Sequence, residues 1–172
     1  VIGYLDQGGK GIIQGSIDSG AFDTFILSDG MIGQSLIDAF GKGLSKSFGS
    51  LPGSTGKGAG IFTKVASAAG IDSSGPYTGE SYDAAALLVL AMQAGGSADR
   101  GSIAKNVMAV ANGPGKKIYP GQLKKALDLL AKGKAVDYEG ATGVVFTDVG
   151  EHVGNFLEKE VKGGKFKTKK QR

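Results

Sequence analysis

The residues predict an α/β protein built on parallel strands, and three observations carry that expectation. Extended and helical patterns alternate early in the chain: Phe22–Leu27, with Thr24, Phe25 and Ile26, leads through Ser28-Asp29-Gly30 into a helical stripe of Ile32, Leu36, Ile37 and Phe40. Strand, helix, strand, helix at this spacing calls for crossovers between parallel strands. Glycine supplies 31 of the 172 residues, as many short strand–helix junctions require. Finally, Tyr77-Thr78-Gly79-Glu80-Ser81-Tyr82-Asp83 runs into Ala84–Met92, which is apolar on every side. That helix is expected to be buried in a core, and it is too short to cross a bilayer.

In chain order, Val1–Leu5 reads as a short strand already under way, so the chain is expected to be a fragment, and Asp6-Gln7-Gly8-Gly9 turns it. Ile12, Ile13 and Ile17 share a helical face that ends at Ser19-Gly20. After the strand at Phe22–Leu27 and the helix Met31–Phe40, Ser47–Leu51 is a second short strand. Pro52-Gly53-Ser54-Thr55-Gly56-Lys57-Gly58 breaks regular structure and marks a crossing between lobes. Ala59–Ala69 is a helix, and Ser97-Ala98-Asp99 caps another carrying Ile103, Val107, Val110 and Ala111 on one face. Asn112-Gly113-Pro114-Gly115 stops it. Pro120-Gly121 introduces a helix with Leu123, Ala126, Leu127 and Leu130 on one stripe. Gly143–Thr147, Asn155–Val161 and Lys165–Thr168 then read as extended, joined by glycine turns.

Composition narrows the function classes. A chain of this length suits one domain or two small ones and buries roughly 70% of its unfolded surface. The net charge of +4 invites a nucleic-acid reading, but Lys162, Lys165, Lys167, Lys169, Lys170 and Arg172 all fall in the last eleven residues. Removing these six leaves the preceding residues at −2, so the body is mildly acidic and the basic end reads as a solvated tail. No nucleic-acid partner is expected. With no cysteine and only His152, thiol chemistry, Cys-based metal sites and His-based triads fall away.

Two apparent nucleotide motifs fail on spacing. A phosphate-binding loop needs Gly first and Ser or Thr after its Lys, where this chain has Leu51 and Gly58. Gly56-Lys57-Gly58-Ala59-Gly60 lacks the final glycine of a dinucleotide fingerprint. Asp29 is more informative. It follows a strand and precedes a helix, at the carboxyl edge where open α/β sheets bind ligands. Capping of the following helix is the competing role. Tyr and Glu at the mouth of the Tyr77–Met92 segment likewise sit at the edge of a core, where pockets form. There the competing role is packing by Tyr82 and a favourable first-turn charge from Asp83.

In one order, Ser28-Asp29-Gly30, Tyr77 with Glu80-Ser81-Tyr82-Asp83-Ala84-Ala85, Gly121-Gln122-Leu123 with Ala126-Leu127, and Tyr138-Glu139-Gly140-Ala141-Thr142-Gly143-Val144-Val145-Phe146 resemble a known pattern. It is the carboxyl-terminal half of type I periplasmic solute-binding proteins of ABC importers, in the leucine/isoleucine/valine-binding branch. The likeness extends through Glu160-Val161-Lys162-Gly163-Gly164-Lys165-Phe166 and covers essentially the whole chain.

The resemblance implies two Rossmann-like lobes joined by three crossing segments, with ligand between them. Residues 1–51 would belong to the carboxyl-terminal lobe and 54–140 to the amino-terminal lobe, while 141–172 would return to the first and end in the basic tail. It places Asp29 where an acidic residue pairs with a ligand ammonium and Tyr77 where an aromatic ring packs on a bound amino acid. Asp6 and Gln7 fall near a further cleft position, and Glu80 on the rim.

It also implies a non-enzymatic, periplasmic protein with an amino acid or related small solute as ligand and ABC permease membrane subunits as partners. No cofactor and no metal is implied. The amino-terminal half of the same protein, which supplies hydroxyls and amides for the ligand carboxylate and the export signal, is absent and is itself an expected partner. A ligand-sensing receptor of the same fold is the main alternative. A small phosphate-handling α/β enzyme is a distant one.

Overall fold

Residues 3–172 are described by a computed structural model, so two residues of the expected first strand lie outside the described part. The chain divides into two compact units: residues up to Gly53 together with Asn155–Arg172, and Ser54–Gly154.

In the first unit, Tyr4 is extended and Leu5–Gly9 forms one wide helical turn leading into α1 (Lys10–Asp18). Ile13 faces the core, and Ile17, one turn on, packs beside it. Ile12, expected on the same face, is exposed, because it is rotated about 100° from Ile13. Of the predicted strand Phe22–Leu27 only β1 (Ile26–Leu27) enters a ladder. Asp29–Met31 is a single 3₁₀ turn, and the helix expected from Met31 starts three residues later, as α2 (Gln34–Phe40).

β2 (Phe48–Pro52) runs parallel to β1, with Ile26 opposite Phe48. Gly49 is required at this contact, since any Cβ there would strike the Leu27 carbonyl. β5 (Phe156–Val161) pairs antiparallel with β2, and β6 (Phe166–Gln171) pairs antiparallel with β5, giving the order β1-β2-β5-β6. One face carries Leu27, Leu51 and Val161 into a core with Ile13, Met31, Leu36, Ile37 and Leu44.

The strands expected at Asn155–Val161 and Lys165–Thr168 are thus present as β5 and β6, and the basic end is paired rather than a loose tail. Arg172 donates to Glu158 at 2.9 Å and 3.1 Å, and Lys169 lies 3.5 Å from the same carboxylate. The guanidinium hydrogen bonds hold the Glu158 carboxyl below its ordinary value.

The second unit contains α3 (Lys57–Ala68), α4 (Thr78–Gly95), α5 (Arg100–Ala111) and α6 (Leu123–Leu130). Two short strands join them: β3 (Lys116–Ile118) and β4 (Val136–Tyr138) pair in parallel, with Lys117 opposite Asp137. The sequence pattern did not suggest either strand, because three residues are too few to show alternation. Lys57 sets its ammonium 4.5 Å from the Tyr119 ring centre.

Two expectations are corrected in this unit. α4 is not buried all round: Asp83, Ala86, Leu87, Leu90 and Ala91 face the core, while Leu88 is 47% and Val89 44% exposed. Uniform apolarity hid the stripe, since a helix of alanine and leucine shows no contrast between faces. The final segment, expected to join the first unit from residue 141, does so only from Asn155. Val144 and Phe146 pack on the α4–α5 core, and the Asn112 side chain both donates to and accepts from the Phe146 backbone at 2.8 Å. The strand expected at Gly143–Thr147 reduces to one bridge between Phe146 and His152.

Gly140 sits at φ 59°, and a Cβ there would lie 2.5 Å from an Asp83 carboxylate oxygen. Gly140→Ala is expected to destabilise this unit by about 2–4 kcal/mol, from left-handed strain plus displacement of a buried charge. Urea unfolding followed by helical circular dichroism measures it, and an unchanged midpoint would contradict the assignment.

Candidate functional site

The residues singled out from the sequence fall into two groups, one in each unit. In the first unit Asp29 begins the 3₁₀ turn directly after β1, at the carboxyl end of a parallel strand. Its Oδ1 accepts the Gly30 N–H at 2.7 Å, which holds the half-buried carboxylate in a fixed rotamer. The capping role is not filled: α2 starts after Gly33 and takes no side-chain cap, so the bond stays within the 3₁₀ turn. Its other oxygen takes no hydrogen bond among the described residues.

The Leu5–Gly9 turn packs directly on that turn. The Ser28 hydroxyl reaches the Gly3 carbonyl at 3.5 Å, and Gly30 fits against Tyr4 so closely that a Cβ would meet the ring at 2.8 Å. Asp6 and Gln7 thus belong to the turn beside Asp29. Asp6 is occupied by an exposed pair with Lys10 at 3.1 Å. Gln7 lies outside helical geometry, at φ −126° and ψ 49°.

In the second unit Tyr77 precedes the first residue of α4 at φ 62°. It is the one non-glycine residue with positive φ among the described residues, a conformation that costs about 1–3 kcal/mol. The turn is secured from its neighbour: the Thr78 hydroxyl lies within reach of the Ser73 and Gly75 carbonyls, at 3.0 Å and 3.1 Å. Glu80 stands in the first turn of α4, where a negative charge opposes the positive end of the helix dipole.

What the sequence reading missed lies further along the start of α4, at Asp83. Asp83 is 3% exposed, and its carboxylate accepts from four groups: the Tyr138 hydroxyl, the Ala141 and Thr142 amides, and the Thr142 hydroxyl, each at 2.8 Å. The position was legible as buried, because Asp83 falls on the same stripe as Ala86, Leu87 and Leu90. A carboxylate on an apolar stripe requires donors from elsewhere. Tyr82, beside it, packs its ring 5.2 Å from Phe62 and accepts the Gly121 N–H at 2.9 Å. The start of α4, and with it Tyr77 and Glu80, is thereby tied to three separate loops.

Chemically, the first unit offers a preset carboxylate to a cation or hydrogen-bond donor. The second offers an aromatic ring and a carboxylate at a helix start. Among the described residues no cluster of three acidic or histidine side chains could hold a metal ion. No helix there is long and apolar enough to cross a membrane.

This architecture is the type I periplasmic-binding-protein fold, present in part. The chain resembles the leucine-binding protein LivK of Thermotoga maritima, with a TM-score of 0.66 and 18% identity over 94% of this chain and 41% of that one. A type 1 periplasmic binding protein of Bordetella pertussis matches at TM-score 0.60 and 18% identity, over 94% of this chain and 43% of its own. A putative branched-chain amino acid ABC transporter protein of Rhodospirillum rubrum matches at 0.52 and 14%, over 91% and 40%.

In sequence, 70 residues are 40% identical to the chemotactic signal transduction system substrate-binding protein BasB of Halobacterium salinarum, covering 41% of this chain and 17% of that protein. No protein-family model matches. The chain therefore spans less than half the length of the proteins it resembles.

Two measurements test the Asp83 knot. Asp83→Asn replaces an oxygen that takes donors with an NH₂ that opposes them, and is expected to cost about 2–4 kcal/mol in urea unfolding. A loss under 0.5 kcal/mol would contradict it. Burial first, then the charge of Asp83, pushes the Tyr138 phenol well above its ordinary 10.0. Unfolding releases that phenol to ionise near its ordinary pKa, so stability falls as pH rises past about 10. The decline should be shallower in Tyr138→Phe, and equal slopes in the two proteins would count against the assignment.

Proposed function

We propose that this chain is the carboxyl-terminal portion of the substrate-binding component of an ABC importer, a non-enzymatic periplasmic protein that captures a branched-chain or related amino acid and hands it to membrane permease subunits. The observation that carries the reading is the Asp29 carboxylate, preset at the carboxyl end of a parallel strand in a fold whose solved examples include a leucine-binding protein. Asp29 would receive the ligand ammonium in a charge-assisted hydrogen bond. Tyr77 would cover the aliphatic part, with Glu80 at the rim and Asp6 and Gln7 beside Asp29. The ligand carboxylate would be met by the amino-terminal half of the same protein, a partner in the literal sense.

A sensory role is the second reading, favoured by the 40% identity with BasB over 70 residues. There the bound state signals to a membrane receptor instead of feeding a permease. Deletion of the gene followed by uptake and chemotaxis assays with the same amino acids separates the two.

Half a site implies weak binding. Calorimetric titration of this chain alone with leucine, isoleucine, valine, alanine and phenylalanine is expected to show no affinity in the micromolar range, and such an affinity would mean the site is complete without a further half. In a form carrying the complementary half, Asp29→Asn should lose about 2–5 kcal/mol, the scale for truncating one side of a buried charge pair. Tyr77→Phe keeps the ring and should lose about 0.5–1.5 kcal/mol. An unchanged affinity in Asp29→Asn would remove the ammonium, and with it the amino acid, from the proposal.

A further inference from the structure

The pair Asn112–Gly113, where α5 ends, has no part in the function proposed above, and the fold sets both of its residues. The Asn112 amide lies along the Phe146 backbone as a short strand would. Its Nδ2 donates to the Phe146 carbonyl and its Oδ1 accepts the Phe146 N–H, each at 2.8 Å. Gly113 takes φ 64° against Asp137, and a Cβ there would lie 3.2 Å from the Asp137 Cγ. The hairpin around Phe146 is tied to itself by the Val153–Val145 and Thr147–Glu151 backbone bonds. Its attachments to the rest of the unit include the Phe146 ring, packed on the α4–α5 core, and this Asn112 clasp.

We propose that Asn112–Gly113 is a site of spontaneous amide loss that the Phe146 clasp holds closed, and that conversion there undoes the clasp. Asparagine before glycine is the peptide sequence most prone to this reaction, because no side chain shields the glycine nitrogen. The chain's other two asparagines stand before bulky residues, Asn106 before Val107 and Asn155 before Phe156. In the reaction the Gly113 nitrogen gives its proton to solvent and bonds to the Asn112 Cγ. The Cγ–Nδ2 bond breaks, and the amide nitrogen takes up a proton and leaves as ammonia. One water then opens the resulting succinimide at either carbonyl, giving aspartate or isoaspartate. Nothing is oxidised or reduced.

The folded geometry forbids the first step. A five-membered ring through Cγ, Cβ, Cα and the peptide carbon needs the Gly113 nitrogen eclipsed with the Asn112 Cβ. The observed ψ of 7° eclipses it instead with the nitrogen of Asn112 itself, and the two bonds to Phe146 fix the amide. Asn112 is exposed, so water and base reach it, and conformation is the restraint. After conversion to aspartate, an oxygen faces the Phe146 carbonyl where Nδ2 had donated, acceptor against acceptor. Isoaspartate also lengthens the backbone beside the close Gly113–Asp137 contact. Either product frees the hairpin and cannot revert unaided, so position 112 keeps a one-way record of opening.

The test incubates the protein at mildly alkaline pH beside a synthetic peptide of Met108–Ile118 and follows aspartate and isoaspartate at position 112 by peptide mapping. The peptide is expected to convert readily. The folded protein should convert more slowly by about tenfold or more, since reaction waits on the fraction of time the clasp is open. Phe146→Ala removes the ring's hold and should speed conversion severalfold at unchanged helical circular dichroism. Where that variant loses its helices, wild-type protein in urea below its unfolding midpoint supplies the same comparison. The consequence is read from Asn112→Asp, which should raise amide hydrogen exchange at Phe146 and Val153 severalfold while the α6 amides exchange as in wild type. A peptide that keeps its amide, or a folded protein that converts at the peptide's rate, overturns the proposal. So does a loosened protein that converts no faster than wild type, or an Asn112→Asp hairpin that exchanges as wild type does. No ligand enters these readouts, so the amino-acid reading can fail while this one stands.

Discussion

A single formal charge organises the second unit. Asp83 lies among alanine and leucine on the buried stripe of α4, where an unpaired carboxylate would cost several kcal/mol. Four donor groups remove that cost, and three of them belong to two consecutive residues, Ala141 and Thr142, with the Tyr138 hydroxyl as the fourth. To deliver both amides to one carboxylate, the chain must turn sharply just before them. Gly140 permits that turn at φ 59° and leaves the space a side chain would take from the Asp83 oxygens. The end of β4, the start of α4 and the loop between them are therefore one object. Among the described residues no buried side-chain polar atom goes without a partner.

The consequence reaches Tyr77. A tyrosine in the left-handed region persists only when its surroundings hold it there. Asp83 and Tyr82 anchor the first turns of α4 from one side, and the Thr78 hydroxyl closes the incoming loop from the other. Rigid placement of an aromatic ring lowers the entropy lost when it meets another surface. In the first unit the same end is served by simpler means: Asp29 is held by the amide of its own neighbour, and the turn carrying Asp6 and Gln7 rests on it through glycine contacts.

Parts of this were legible in the residues. The Ile13/Ile17 and Leu123–Leu130 stripes, the break at Pro52–Gly58, and the placing of Asp29 between a strand and a helix all depend on local periodicity or on the φ freedom of glycine and proline. Those properties act over a turn or two of chain. The order of motifs, read together, also indicated the fold that the solved structures show. Among the candidate residues, Asp29 stood out because its neighbours define a strand–turn–helix junction. Asp83 was passed over as an ordinary first-turn charge, although its spacing to Ala86, Leu87 and Leu90 puts it on the buried stripe.

The sequence by itself determined where most helices lie, where the chain must turn, and that neither cysteine chemistry nor a His-based triad is at hand, since these follow from residue identity and short spacing. Tertiary structure alone decided the rest. It chose which side of the uniformly apolar α4 is buried, because helix–helix packing and not hydropathy contrast makes that choice. It carried the strand expected at Lys165–Thr168 on to Gln171, because the ladder with β5 continues to Leu157 opposite Gln171. It kept Ala141–Gly154 with the second unit, where three of the four groups that donate to Asp83 belong to Ala141 and Thr142.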